Sequence, residues 1–445
     1  MPPGFTPSRR DALRILAGAA VGAGIIGIPQ PATASKPAIP PVAEWISRHA
    51  HQLATSDPDA TANDLRYLDG MIRGALIAGI GEATHGAREL FTLKHRLVRH
   101  LVEHLGFRSV VLEEDWTKGL QIDEYLLHGR GDPRVLLADA GMPWRTEEIL
   151  NLLIWMRAYN QSHPADPVRF AGADIVAVRA LAYDTVTAYV ERVAPHYLDE
   201  LRAHYAVIRP SGDIGAHITF YRQQPDKQPF IDHARQAYQL VAGLPADDGL
   251  SIVLQHSRAI VGFYEYHATG SVAVRDRHMA QTVAFWHEYT GDRLIYWASN
   301  VHTAVGHPLT ISYPPFPPAT QDTAGSRLRT RYGYGYLSVG MSFDHGAVNA
   351  GYPTREYAVP PPPADFVDAA LAVHGIGDYL LDLRTAAPPA VQRWLRTPTV
   401  MRAVGPAYDP ANDTAYHMSG GGLGDWFDVI IRQQQVTPTR LLPQE

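Results

Sequence analysis

LIAGIGEATHGARELFTLKHRLVRHL, residues 76–101, changes its period halfway along. Up to Ile80 it is a short unbroken apolar run, the pattern of a strand buried on both faces of a parallel sheet. Beyond the turn, Leu90, Leu93, Leu97, Val98, Leu101 and then Leu105 fall on one arc of a helical wheel. Strand, glycine-fenced turn and amphipathic helix make half of a βαβ unit. Further apolar runs at 75–80, 109–112, 168–171, 294–297, 336–339 and 379–381 have the same look, each followed by turn residues or a helical pattern. The expected fold is therefore α/β, with a mostly parallel central sheet, helices on both faces and a helical insertion over about 176–290.

The turn carries Glu82 and His85, and other polar residues also follow directly on strands: Glu113, Glu114 and Asp115; Asp174; Ser299, Asn300 and His302. In an open parallel sheet the carboxyl ends of the strands share one edge, where ligands bind, so these segments are expected to meet. The stretches LIAGIGEATHG (76–86) and LIYWASNVHTAVG (294–306) also echo each other, each running from a strand through a small polar turn to a histidine. Either two related halves or coincidence accounts for that.

A histidine facing a cleft, with its tautomer fixed by a carboxylate, serves as a general base. Alone, E-x-x-H is more simply a helix start, with Thr84 as N-cap and Glu82 on the surface. Two neighbours argue against the simple reading. Lys94 falls near the centre of the apolar arc, where an ammonium must be paired, border a polar cavity or snorkel outward; Arg96 is expected on the solvated side. The VVLEED run at 110–115 ends a buried strand in three acids, of which at least one needs a cationic partner or a raised pKa. Glu113 or Glu114 is the candidate second carboxylate.

Composition narrows the chemistry. The 445-residue chain has no cysteine, which excludes thiol nucleophiles and thiolate metal sites, and its net charge of -6 without long runs of one sign gives no nucleic-acid footprint. Serine-nucleophile elbows, phosphate loops and H-E-x-x-H are missing from the sequence. The N-terminus, with Arg9-Arg10, a Gly/Ala/Ile stretch and Ala32-Thr33-Ala34, reads as a twin-arginine signal over 1–34, followed by a linker at 35–41 and one domain over 42–445. An exported protein, extracellular or in the cell envelope, that meets the membrane only in transit is expected. His256 reads as a packing residue, and Arg275 with Asp276 as an internal ion pair ahead of a catalytic role.

Taken together, GEATHG, the downstream L-K-H-R, VVLEED and WASNVHTAVG resemble the erythromycin esterase family, and RDRHMAQTV (275–283), TAGSRLRTRYGYGYLSVG (323–340), YLLDLR (379–384) and GDWFDVII (424–431) continue the likeness in order over roughly 42–432. The resemblance implies an α/β core with a helical insertion and metal-independent, cofactor-free opening of a macrolactone ester. By position, His85 looks like the family's general base and Glu82 the acid before it; Glu113, ahead of Glu114, looks like the second acid. Lys94 matches a basic position, and His302 ends the H-N-x-H motif. That motif begins with Ser299 here, followed by Asn300, and a serine cannot carry a proton near neutral pH.

The expectation is an exported hydrolase in which His85 draws a proton from water while Lys94 and His302 stabilise the oxyanion, with Glu114, Ser299, Asn300 and Arg275 in support, acting on a bulky, apolar small molecule. Its rivals are proton abstraction without water, as in elimination or cyclisation; a metal-dependent hydrolase using Glu82, His85, His302 and an acid from 113–115; and a non-catalytic binder of apolar ligands.

Overall fold

A sheet of nine strands runs through the middle of the molecule. The structure, a computed structural model, describes residues 40–306 and 308–443. The expected signal at 1–34 and most of the expected linker fall outside the described residues. The linker's last two residues do not behave as expected: Pro40 and Pro41 begin the helix Pro40–His49, because proline fits the first helical turn, whose N–H groups have no intrahelical acceptor.

In chain order the strands are β1 (His51–Gln52), β2 (Ile77–Ile80), β3 (Phe107–Asp115), β4 (Arg169–Asp174), β5 (Arg293–Trp297), β6 (Leu309–Ser312), β7 (Ala319–Gln321), β8 (Tyr336–Ala350), β9 (Arg355–Val359), β10 (Tyr379–Asp382), β11 (Thr399–Arg402), β12 (His417–Gly421) and β13 (Val429–Val436). The central order is β1-β10-β13-β8-β2-β5-β3-β4, with β9 added antiparallel to the distal part of β8. β13, β8, β2, β5, β3 and β4 are mutually parallel; β10 and β1 are antiparallel additions at one edge. All six apolar runs singled out in the sequence are strands of this sheet. The two echoing segments are neighbours, with Ile77 opposite Leu294 and Ile80 opposite Trp297.

Side chains alternate between two apolar layers, as a pleat requires. Ala78, Ile80, Ile295 and Trp297 pack under α1 (Arg88–Leu105), α2 (Trp116–His128) and α3 (Glu147–Ser162). On the other face Ile77, Leu294 and Tyr296 meet the insertion: the helices Ala180–Val193, Leu198–Ile208, Ile214–Gln223, Gln228–Ala242 and Leu250–Thr269, and α4 (Val272–Thr290). The periodicity of α1 is as expected, and Gly106 ends it in the left-handed conformation, with φ 70°. Arg96 departs from expectation: instead of facing solvent it is buried, donating to the Thr55 carbonyl and to Asp64 and so tying residues 55–64 to the core. Among the described residues no helix is long and apolar enough to cross a membrane.

A second, antiparallel sheet, β11-β12-β6-β7, carries its own apolar cluster with Trp426, Met418 and Leu309. The glycines 420–422 straddle the end of β12 and the start of the short helix Leu423–Trp426.

Candidate active site

The turn after β2 is clamped by four other parts of the chain. Gly81 N donates to Val339 O, Glu82 O accepts from Asn300 N, Ala83 O from Val404 N, and Gly86 O from both Asn349 N and Thr439 N. Thr84 does not cap α1; its hydroxyl accepts from Gly86 N at 3.2 Å and shapes the turn, and the helix starts at Arg88. A β-carbon on Gly86 would lie 1.9 Å from the Asn349 carbonyl oxygen. The C-terminal segment completes the clamp: Thr437 O receives Arg88 N, Arg440 O receives Glu147 N, and Leu442 N donates to Arg145 O.

This fixed loop holds His85 with its side chain a quarter exposed and its Nδ1 2.8 Å from Glu82 Oε1. A carboxylate at that distance fixes the proton on Nδ1 and leaves the Nε2 lone pair toward the cavity. Burial lowers the basicity of the ring; the Glu113 charge pulls the other way, while His302 and Arg275 push it lower. His85 is therefore neutral near pH 7, the state a general base needs. The Trp144 ring meets it edge-on at 4.9 Å.

Glu82 is fully buried, and its second oxygen, Oε2, forms an ion pair with Lys94 Nζ, also fully buried. Lys94 donates to Ala298 O at 3.1 Å and lies over the Trp297 ring. Burial drives its ammonium toward the neutral form and the charge of Glu113 opposes this; the Glu82 carboxylate, the Ala298 carbonyl and the Trp297 face are the groups in contact with it. Neither Lys94 nor Glu82 reaches the cavity wall. The expectation that Lys94 steadies an oxyanion is corrected: it neutralises the acid that orients His85.

Glu113 and Glu114 owe their directions to a bulge. Leu112 pairs with Gly172 and Asp115 with Asp174, so two residues of β3 oppose a single residue of β4, an irregularity that re-aims side chains. Glu113 Oε1 accepts from Arg275 Nη2 at 2.7 Å, lies 3.3 Å from His302 Nε2 and 3.8 Å from His85 Nε2, while Oε2 accepts the Ser299 amide at 3.0 Å. Burial opposes its ionisation, but His302, Arg275 and His85 outweigh it and hold the carboxyl well below its usual range. Glu114 turns to backbone amides, Asp115 N at 2.8 Å and Gly141 N at 2.6 Å. Burial and the charge of Asp115 raise it to about 7.

Arg275 and Asp276 do not pair with each other, as the sequence suggested. Arg275 Nε donates to both oxygens of Asp174, each at 3.0 Å, and its other end serves Glu113. Asp276 Oδ1 instead accepts from His302 Nδ1 at 2.8 Å and from Ala324 N at 2.9 Å, and Oδ2 from Gln321 Nε2 at 2.5 Å. His302 Nε2 faces Glu113 and also Arg275 Nη1, 3.2 Å away. Burial disfavours the imidazolium, yet two carboxylates against one guanidinium already engaged by Asp174 raise the ring to about 10. His302 is a held cation and not a second base.

The cavity of about 640 Å³ at this sheet edge is lined by His85, Glu113, Glu114, Arg275, Ser299 and His302, with Trp144 and Tyr313 among its aromatic walls. Asp213, Ile214 and Tyr266 bring the insertion to the same wall, and Thr439 and Leu441 bring the C-terminal segment. Asn300 does not reach it. Its amide brackets the Met341 backbone, Nδ2 to O at 2.8 Å and Oδ1 from N at 3.1 Å, so its place is in joining the start of α5 (Asn300–Thr303) to β8. His256 packs as expected, accepting from Trp116 Nε1. Sequence reasoning missed Asp276 as the partner of His302, and Trp144 altogether; no local spacing marks either.

The sequence profile described as erythromycin esterase matches residues 102–436, beginning after the His85 turn. YbfO of Bacillus subtilis (strain 168), provisionally named a hydrolase, is 30% identical over 152 residues, 34% of this chain and 33% of that protein. Erythromycin esterase type II of Escherichia coli is 27% identical over 132 residues, 30% of this chain and 31% of its own length. The matched segments thus span about a third of these relatives. A crystal structure of a Bacillus cereus protein covers 90% of this chain and 98% of its own, at 26% identity and a TM-score of 0.79.

Proposed function

This chain belongs to the erythromycin esterase family, and from that premise we propose that it is a hydrolase in which His85 activates water against an ester or lactone carbonyl. The observation that carries the reading is His85 itself: Nδ1 tied to Glu82 and Nε2 free to take a proton at the cavity. Water loses its proton to Nε2 as its oxygen bonds to the carbonyl carbon. The imidazolium that forms lies 3.8 Å from Glu113, an anion already in place, so charge created in the reaction meets a fixed opposite charge. His302 and Arg275, both cationic and both on the cavity wall, would face the developing oxyanion. Collapse of the tetrahedral intermediate returns the proton from His85 to the departing alkoxide.

The charge balance of the cluster favours this over a metal centre, because Arg275 and the His302 imidazolium already occupy Glu113 Oε1, and the Ser299 amide Oε2, where a divalent ion would bind. The volume admits a bulky substrate, and the mixture of aromatic, acidic and basic walls suits one with polar groups on an apolar frame.

Incubating the protein with esters, lactones and macrolides in heavy-oxygen water tests the reading. One heavy oxygen should appear in the carboxylate product, and His85→Ala should lower kcat about 10²–10⁴-fold with the fold intact. Unlabelled product would mean elimination or cyclisation, and an active His85→Ala enzyme would remove the base.

A further inference from the structure

We propose that Asp276 is the positioning residue of this site: it holds the His302 ring as a donor on both nitrogens and so keeps Glu113 anchored before His85. The inference rests on the hydrolytic reading for its kinetic consequence but not for its structural one. Asp276 is fully buried on α4 and does not line the cavity, so it acts only through the groups it holds. It accepts three hydrogen bonds from three elements: His302 on α5, Gln321 on β7, and Ala324 at the start of the helix Ala324–Tyr332. A buried carboxylate so shared is a fixed charge, and the His302 ring is locked against it by the 2.8 Å contact to Nδ1.

His302 meets titratable or charged groups from every side: Asp276 from α4, Glu113 from β3, Arg275 from α4, and the neutral His85 from the turn after β2, with Asp174 behind Arg275. Negative, positive, negative, positive, negative is the sequence from Asp276 through His302, Glu113 and Arg275 to Asp174. Removing the first charge leaves the His302 proton with only Glu113 to hold it, against a guanidinium 3.2 Å away. The ring would then release its proton closer to neutrality, its donor to Glu113 would vanish, and the carboxylate would be left to Arg275 and the Ser299 amide alone, with a shifted position before His85.

Asp276→Asn separates this role from packing. The asparagine oxygen can still accept from Ala324 N and His302, and Gln321 can present its buried oxygen, which has no hydrogen-bond partner here, to the new amide. The variant should keep its fold while losing the charge. On ¹⁵N-histidine-labelled protein, the His302 ring of the wild type should stay protonated through pH 8.5, and in Asp276→Asn it should titrate about 1–3 pH units lower. On the ester found by heavy-oxygen labelling, kcat of the variant should fall about tenfold or more at pH 8.5 and less than about threefold at pH 6, with KM nearly unchanged. Asp276→Glu should restore part of the alkaline limb.

A loss equal at all pH values would mark a purely structural role and overturn the proposal. So would a wild-type His302 that deprotonates below about pH 7.5, a measurement that stands even if the asparagine variant fails to fold. The ring titration needs no turnover, so it distinguishes failure here from failure of the hydrolytic reading, which His85→Ala tests separately.

Discussion

Glu82 and Lys94 show why residue type and residue place must be read together. The string GEATHG told that an acid precedes a histidine, and the wheel told that a lysine sits on the apolar arc. Their meeting was not legible, because a side chain's partner twelve residues away across turn and helix depends on where the helix points. The same limit hid Asp276: its neighbour Arg275 is the obvious partner in sequence, but successive helix positions face different directions, and each found a charge on another element. Glu113 could be separated from Glu114 only after the bulge in β3 was seen. The buried pair makes a sharp prediction. Lys94→Met leaves the Glu82 carboxylate uncompensated and should destabilise the fold by about 3–5 kcal/mol in urea titrations. Adding Glu82→Gln should recover much of that stability but not the activity, since a neutral amide holds His85 without stabilising its charged form. Equal stability of Lys94→Met and wild type would refute the pairing.

At the scale of elements, what the chain displays locally was readable and what it assembles from afar was not. Strands buried on both faces appear as unbroken apolar runs, so the six runs stood out. β6, β7, β11 and β12 are three to five residues long with mixed polarity, and only pairing across more than a hundred residues makes them a sheet. The glycines around His85 were read as a fence; the clamp gives the end of that turn a physical reason, because the β8 backbone at Asn349 passes where a β-carbon on Gly86 would be. Gly86→Ala must therefore push the turn away from β8. A loss of roughly 1–3 kcal/mol, with a larger proportional loss of kcat than of melting temperature, is expected. An alanine variant with unchanged kinetics would show that the turn is not held where its hydrogen bonds suggest.

For the whole molecule, buried titratable groups set how stability follows pH. Burial lowers His95 to about 3 and both His256 and His267 to about 4. Between pH 6.5 and 4.5 the unfolded chain takes up protons at these three histidines and the folded chain does not, which destabilises the fold as pH falls. Burial raises Glu114 to about 7 and Asp115 to about 6, so over much of the same interval the folded chain keeps two protons that the unfolded chain sheds, an opposing effect. His85 is lowered too, so the histidines outnumber the two acids and a net loss of stability on acidification is expected. Above pH 6.5, His302 stays charged in the folded protein and neutral in the unfolded one, and its contribution fades as pH climbs toward 10. Denaturant midpoints from pH 4.5 to 9.5 should therefore peak near neutrality, and a midpoint that rises steadily to pH 9.5 would contradict the assignment of His302 as a cation.

The cavity wall also has an order of manufacture. Residues 437–442 hold the turn bearing His85 and reach β8 through Asn349, and they are the last of the described chain to leave a ribosome. A nascent protein still lacking them has every charged group of the site but no finished enclosure around it. Turnover should thus switch on only once residues 437–442 have docked, and a chain released before Thr437 is expected to be inert although it contains every strand of the sheet.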